Sequence, residues 1–565
     1  MEKILKIFNR DTGTINQAAL VLGAFAFLSQ VLALFRDRFF AHFIGPSPTL
    51  DVYYAAFRIP DLIFISIASL ASITVLIPFV MAKMSTPANG EGMEVTKEAQ
   101  KYLNDVFTVF LSVIVFVSLV IFILMPILAP LVAPGFAPEL AERLVTLSRI
   151  MLLSPILLGL SNLFGTITQI FRKFFIYALS PIFYNLGIIA GVVLFYPIFG
   201  IYGLGIGVVF GALMHFGIQA FSSWKAGFIP RFSFSLNMKD IKNVALTSLP
   251  RTLGLTFNNF ALIVIISLAS FLESGSISIF NLSFHLQSVP LNIIGISYAV
   301  AAFPTLAKSV SLGRMDEFKS QLKLATRAIV FWSLPVIFLF IVVRAQIVRV
   351  ILGSGSFSWD NTRLVAAALA VFSVSVLAQS LITLFSRAYY ANGNTRRPLF
   401  INFSCSALII FLSYFLIRIF EDWPFFRYFI ESLLKVADIP GTPVLMLPLA
   451  YTLGTIFNCM LLWFFIRRDF MQQESFFSRT FLQSLGASFF LGLVAYLGLN
   501  IFSPIFGTTT FWGVFLQGLL SGILGIMTAI LILYLLGNTE LKDIVNALRT
   551  RFWKTKIIAP VQEEL

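Results

Sequence analysis

The sequence predicts an all-α polytopic membrane protein with fourteen transmembrane helices: two six-helix lobes in a parallel pseudo-twofold repeat, plus two C-terminal helices. Three observations carry this reading. The 565 residues are 58% hydrophobic and 12% charged, with 63 phenylalanines, which excludes an ordinary soluble globule. Apolar runs of about 20 residues or more recur along the chain, each long enough to cross about 30 Å of hydrocarbon. The loops between the runs alternate in basic content, as the two sides of a membrane require.

The spans fall near 16–44, 50–84, 102–133, 140–171, 175–197, 200–224, 241–271, 276–307, 320–352, 361–391, 398–419, 443–466, 479–502 and 510–537. On one side the loops hold Lys3, Lys6 and Arg10, then Lys83, Lys97 and Lys101, then Arg172 and Lys173, then Lys225, Arg231, Lys239 and Lys242. The same side gathers Lys308 and Arg314, Arg396 and Arg397, Arg467 and Arg468, and Lys542, Arg549 and Arg551. On the other side, 45–49, 197–203, 273–276 and 503–510 have no lysine or arginine. Both termini are therefore expected in the cytoplasm. Residues 1–13 are short and polar, with no small-residue cleavage site after the first apolar run, so no cleaved signal is expected.

Two further segments are predicted to lie along the membrane. Residues 421–443, rich in Trp423, Phe425, Phe426 and Phe429, read as an amphipathic helix in the outer interface or as an ordinary structured loop. The basic tail, with Ile544, Val545, Leu548 and Phe552 spaced along it, reads as docking on the anionic inner leaflet.

The chain echoes itself at a spacing of about 220 residues. Gly135-Phe136 before Arg143-Leu144-Val145 matches Ser356-Phe357 before Arg363-Leu364-Val365. Pro181-Ile182-Phe183-Tyr184-Asn185 matches Pro398-Leu399-Phe400-Ile401-Asn402, and Ala41-His42-Phe43-Ile44 matches Ala269-Ser270-Phe271-Leu272. Six spans separate the copies, so both have the same orientation in the membrane, which makes the repeat a parallel one. The expected division is an N-lobe at 1–235, a C-lobe at 236–470, two extra spans at 471–540 and a basic tail at 541–565.

Chemistry concentrates in the first two spans. Arg36, Asp37 and Arg38 lie in the outer part of span 1, and Asp51, Arg58 and Asp61 in span 2. Intramembrane ionisable groups are functional-site candidates because burying them is costly unless they are paired or wet. Spacings of seven and three put Asp51, Arg58 and Asp61 on one helix face, and Pro60 is expected to kink span 2 and open a gap. The expectation is a polar cleft with a cationic bias, suited to phosphate through bidentate arginine contacts. Alternatively these groups neutralise one another, Asp51 with Arg36 or Arg58 and Asp61 with Arg58. Arg251 in span 7 and His285 in span 8 are the facing candidates from the second lobe. Snorkelling explains Arg251 equally well, and helix packing is the plainer account of His285.

Other function classes are not supported. Basic residues scattered over short loops argue for topology rather than nucleic acid. Cys405 and Cys459 both fall inside spans, so neither a disulfide framework nor a metal cluster is expected. No nucleophile elbow, phosphate-cradling glycine loop or kinase-like set is present, so neither an enzyme nor a cofactor is expected.

Ser29-Gln30-Val31-Leu32-Ala33-Leu34-Phe35-Arg36-Asp37 resembles the first-helix motif of the MurJ/MviN lipid II flippases, within the multidrug/oligosaccharidyl-lipid/polysaccharide exporter superfamily. Asp51-Val52-Tyr53-Tyr54-Ala55-Ala56-Phe57-Arg58-Ile59-Pro60-Asp61 is similar to its second-helix motif, as are Ala133-Pro134-Gly135-Phe136, residues 269–276 and Phe303-Pro304-Thr305-Leu306 to other family segments. The resemblance runs from about residue 15 to 535. It implies a cationic central cavity and alternating access that flips a polyprenyl-pyrophosphate-linked peptidoglycan precursor outward in a bacterial inner membrane. The drive would be the membrane potential or an ion gradient. With both lobes in one chain a monomer is expected, and its expected partners are the lipid-linked oligosaccharide, membrane lipids and cell-wall synthesis enzymes. The chain departs from the family pattern at Gln30, Phe64 and His285, where the family usually has arginine, and at Ser69-Leu70, where an acidic-Gly pair is usual. Arg36 remains, with Arg58 and His285 or Arg251 as partial substitutes. Two other readings are a same-fold exporter of another lipid-linked polysaccharide or amphipathic compound, and a non-transporting scaffold for cell-wall synthesis.

Overall fold

The computed structural model describes residues 15–68, 80, 96–171, 173–225, 227–228, 230–471, 478–507 and 509–552. Among them every regular element is a helix. Twelve helices, from Lys97–Val132 to Phe511–Leu535, are long and apolar enough to cross a membrane, and they coincide with expected spans 3 to 14. Span 1 is the 29-residue helix Ile15–Phe43. Span 2 begins as Pro48–Ala56 and continues as Arg58–Ile63 and Phe64–Ala68. The rest of span 2, including Ser69-Leu70, lies outside the described residues, as do 1–14 and 553–565.

The chain forms two compact units. One comprises Met1–Val289, Val348–Ser375 and Gly393–Leu462; the other comprises Pro290–Ile347, Val376–Asn392 and Trp463–Leu565.

In the first unit, glycine sets the closest helix approach. Span 5 (Phe174–Ala190, extended by the π-helical turn Gly191–Phe195) runs against span 6 (Ile201–Lys225). Gly187 abuts the backbone of Gly211, Gly191 abuts Gly207, and Gly211 abuts the Tyr184 carbonyl, with no space for a Cβ at any of them. Small residues four apart permit such contact where lipid offers no hydrophobic drive for association. The contact fixes Tyr184 and Asn185, which face the site described below.

The sequence repeat also has a physical counterpart in this unit. The loop after span 1 meets the segment after span 9, where the Ser356 N–H donates to the His42 carbonyl at 2.9 Å. The loop after span 3 meets the loop after span 7, where the Gly135 N–H donates to Ser270 Oγ at 2.9 Å. His42 and Ser270 are repeat equivalents, and so are Gly135 and Ser356. Each contact is thus the image of the other, as a pseudo-twofold axis demands.

Within residues 421–443, Pro424–Leu434 form a helix. It exposes Phe425, Tyr428, Phe429 and Leu433 on one side and buries Glu431 on the other. Glu431 Oε1 accepts from Thr442 Oγ1 at 2.6 Å and from Arg427 Nε at 2.9 Å, which anchors the helix with its aromatic face outward.

In the second unit, Phe331 of span 9, Ala487 and Leu491 of span 13, and Ala529 and Leu533 of span 14 form a buried cluster. Leu541 and Ile544 of the tail helix Thr539–Phe552 pack on it. Part of the stripe expected to dock on lipid is therefore covered by protein, while Val545 stays half exposed.

If the span 5–span 6 contact is tight, Gly211→Ala will cost about 1–3 kcal/mol as a backbone clash. Gly217→Ala on the same helix meets open space and should be neutral or gain about 0.5–1 kcal/mol. Thermal unfolding of the two purified variants in detergent tests this; equal Tm values would refute the packing account.

Candidate functional site

The site is built from the C-terminal part of span 1, the broken start of span 2, the middle of span 5 and the first turns of span 8, all within the first unit. Asp37 is its centre. It is buried, and a carboxylate is acceptor-only, so each oxygen needs donors. Arg36 Nε and Nη2 donate to Oδ1 at 3.0 and 2.9 Å. His285 Nδ1 donates to Oδ2 at 3.0 Å from span 8. Arg36 Nη1 also donates to Asn185 Oδ1 at 3.2 Å, and Asn185 Nδ2 returns to the Pro181 carbonyl at 3.1 Å. A single carboxylate thereby ties together spans 1, 5 and 8.

Arg38, next along the chain, does different work. Its Nη1 donates to the carbonyls of Val350 and Ile351 at 2.6 and 3.2 Å. These lie at the end of the helix Arg344–Leu352, where a cation complements the free carbonyls.

Span 2 departs from its expected form. Ser47 caps it and Pro48 occupies its first turn, but the helix ends at Ala56 and restarts at Arg58. The break sits one turn before Pro60 because proline has no N–H to give the Ala56 carbonyl. Past the break, Arg58 Nη2 donates to Asn281 Oδ1 at 2.5 Å, and Asn281 Nδ2 donates to the Ile277 carbonyl at 2.7 Å. Among the described residues, Arg58 Nε and the Tyr54 hydroxyl are buried without a hydrogen-bond partner.

Arg36, Arg58, Asp61 and His285 line a cavity of about 270 Å³, together with Tyr53, Tyr54, Tyr184 and Asn281 and the apolar rings of Phe40, Phe57 and Phe284. The volume equals that of about nine water molecules in the liquid. Arg36 and Arg58 are matched in number by Asp37, behind Arg36, and Asp61 in the wall. The cationic bias expected from the sequence is thus absent from the formal count of arginines and aspartates.

Asp51 is not part of this lining. The Gly275 and Ser278 N–H groups and Ser278 Oγ donate to its carboxylate at 2.6, 2.8 and 2.6 Å. It caps the helix Ser276–Pro290 from another span, using the favourable meeting of an anion with a helix N-terminus. The expected pairing of Asp51 with Arg36 or Arg58 is therefore replaced by backbone capping. Arg251 lies in the helix Met238–Ala269, and its side chain is outside the described residues. Asn185, Asn281 and the three tyrosines were not singled out from the sequence. Asn281 stands one helical turn before His285, and Asn185 closes the Pro181–Asn185 echo, so spacing was the available signal for both.

The family model described as lipid II flippase MurJ matches residues 40–517. The chain belongs to this family. A lipid II flippase MurJ of Burkholderia cenocepacia is 24% identical over 492 residues, covering 86% of this chain and 90% of that protein. A probable lipid II flippase MurJ of Borreliella burgdorferi is 26% identical over 396 residues, covering 69% and 75%. Among solved structures, a lipid II flippase MurJ in an inward closed conformation superposes with a TM-score of 0.71 at 19% identity, covering 93% of this chain and all of that one. At that identity the structural match speaks for the MurJ fold, while the family rests on the sequence match.

Asp51→Ala should leave up to three buried donors unpaired, at about 1–3 kcal/mol each. The expected result is a lower Tm with unchanged lipid II binding per folded molecule, and Asp51→Asn should recover part of the loss. A variant with wild-type Tm and abolished binding would return Asp51 to the binding site.

Proposed function

We propose that this chain flips lipid II, or a closely related polyprenyl-pyrophosphate glycan, from the inner to the outer leaflet of a bacterial cytoplasmic membrane by alternating access. Family membership across residues 40–517 is the observation that carries this reading. The buried arginines supply its chemistry. Arg36 is held by Asp37 and Asn185, and Arg58 by Asn281. Such parking avoids the cost of an unpaired charge in a low-dielectric interior. A pyrophosphate exchanges these partners for its own oxygens, which guanidinium groups bind in bidentate fashion. The cavity has room for the pyrophosphate, while the glycan and peptide need the open states of the cycle. In this reading both termini are cytoplasmic, residues 1–235 and 236–470 rock as the two lobes, and one chain is the functional unit.

The balanced charge of the cavity favours a second reading: the same transport cycle with a lipid-linked cargo of lower charge.

Both readings are tested by native mass spectrometry of the full chain against lipid II, undecaprenyl pyrophosphate and undecaprenyl phosphate. Arg36→Ala and Arg58→Ala should each weaken lipid II binding about tenfold or more, as loss of a charge-assisted hydrogen bond implies, and should fail to rescue a flippase-depleted strain at normal expression. Equal affinity for all three lipids would favour the second reading. Full rescue by both variants would refute the site. A chain ending at Phe552 keeps the Leu541 and Ile544 contacts and should still rescue; loss of function there would instead support a scaffold acting through its tail.

A further inference from the structure

The basic residues Lys97 and Lys101 precede and open span 3, and Arg231 lies in the connector after span 6. The structure gathers all three around one open pocket of about 760 Å³, with Gln100, Asn104, Phe232 and Phe234 in its wall. Its nine described lining residues include no carboxylate. This pocket is separate from the Arg36 cavity, shares no residue with it, and plays no part in the flipping chemistry proposed above.

The pocket is a built feature. Residues 97, 101, 104 and 108 recur at helical spacing and form one stripe on span 3. The connector is pinned along that stripe by its own backbone. The Arg231 N–H donates to Asn104 Oδ1 at 2.9 Å, the Ser233 N–H to Thr108 Oγ1 at 2.8 Å, and the Asn237 N–H to Asp105 Oδ2 at 3.1 Å. Asp105 is buried beneath the connector, with Oδ2 bonded to it and Oδ1 buried without a hydrogen-bond partner among the described residues. Phe232 stands edge-on to Phe107 with ring centres 5.7 Å apart. Phe234 is 100% exposed, and Met238 beyond it is 65% exposed.

Three cations beside two outward aromatic rings, at the end of a membrane-spanning helix, present a headgroup-sized charge with an apolar flank. An exposed phenylalanine at a bilayer surface can enter the headgroup–acyl boundary, and clustered lysine and arginine beside it bind anionic lipid. We propose that this pocket binds the phosphodiester headgroup of an anionic phospholipid of the inner leaflet, with Lys97, Lys101 and Arg231 on the phosphate and Phe234 among the acyl chains. The leaflet follows from the orientation proposed above, whereas the binding itself does not depend on flipping.

The test uses the full chain in nanodiscs of phosphatidylcholine with a graded fraction of phosphatidylglycerol, released into a native mass spectrometer. The wild type should retain phosphatidylglycerol in preference to phosphatidylcholine. Lys97→Gln/Lys101→Gln/Arg231→Gln should lose one retained phosphatidylglycerol, with affinity down about fivefold per cation removed. The Lys97→Arg/Lys101→Arg variant should keep it, which separates charge from misfolding, and lipid II binding should be unaltered in every variant. An unchanged phosphatidylglycerol count in the triple variant overturns the proposal. So does displacement of the lipid by millimolar inorganic phosphate, which would make the pocket a site for free anions. Loss of lipid II binding in the wild type would instead count against the flippase reading alone.

Discussion

The Arg36 side of the site, from span 1 to spans 5 and 8, depends on one buried carboxylate. Asp37 is almost wholly removed from water and holds donors from two directions, the Arg36 guanidinium on one oxygen and the His285 imidazole on the other. Removing such a group from water costs several kcal/mol unless close, well-directed partners repay it. That requirement sets the geometry around it. Span 8 must bring His285 within 3.0 Å, and span 5 must bring Asn185 to the far side of Arg36. Span 5 can do so only because its glycines let it lie directly on span 6. Helix packing and cavity chemistry are thus two consequences of the same demand.

Asp37 and Asp51 are fourteen residues apart and chemically identical, yet they serve opposite ends. Asp37 is satisfied by side chains that can move away, so its bonds can be exchanged during a transport cycle. Asp51 is satisfied chiefly by backbone N–H groups of Gly275 and Ser278, which cannot leave without unwinding a helix. The first arrangement suits a switch and the second a hinge pin. With Asp51 locking the N-terminal ends of spans 2 and 8 together, the break between Ala56 and Arg58 becomes the place where span 2 can bend, next to the Arg58–Asn281 bond.

Much of this was legible in the sequence. The spans followed from hydrophobic length, and spans 3 to 14 coincide with observed helices because lipid leaves a backbone few alternatives. The parallel repeat followed from short echoes, and the mirrored contacts at His42–Ser356 and Gly135–Ser270 fit it. Arg36, Arg58, Asp61 and His285 were found because charge inside a membrane is conspicuous. What escaped was the role of neutral polar groups. Asn185 and Asn281 look like ordinary helix residues until a guanidinium is placed against them, and no local pattern announces a partner 149 or 223 residues away. The misreading of Asp51 has the same origin. A sequence shows which charges share a helix face but not that the free N–H groups of another helix will reach one of them first.

The same accounting bears on how an emptied cavity resets. Arg36 and Arg58 are matched in formal count by Asp37 and Asp61. A phosphate-bearing cargo must displace internal counterions that are already well placed, and affinity is therefore the difference between two sets of good contacts. In the proposed cycle, an anion that engages Arg36 and Arg58 together would offset the loss of Asp37, Asn185 and Asn281. A lone phosphate reaching one arginine gains one contact for each it breaks. If Arg36 and Arg58 are the cargo contacts proposed above, selectivity for a two-phosphate linkage over a single phosphate would come from each arginine having its own partner, and release from those partners lying within hydrogen-bond reach.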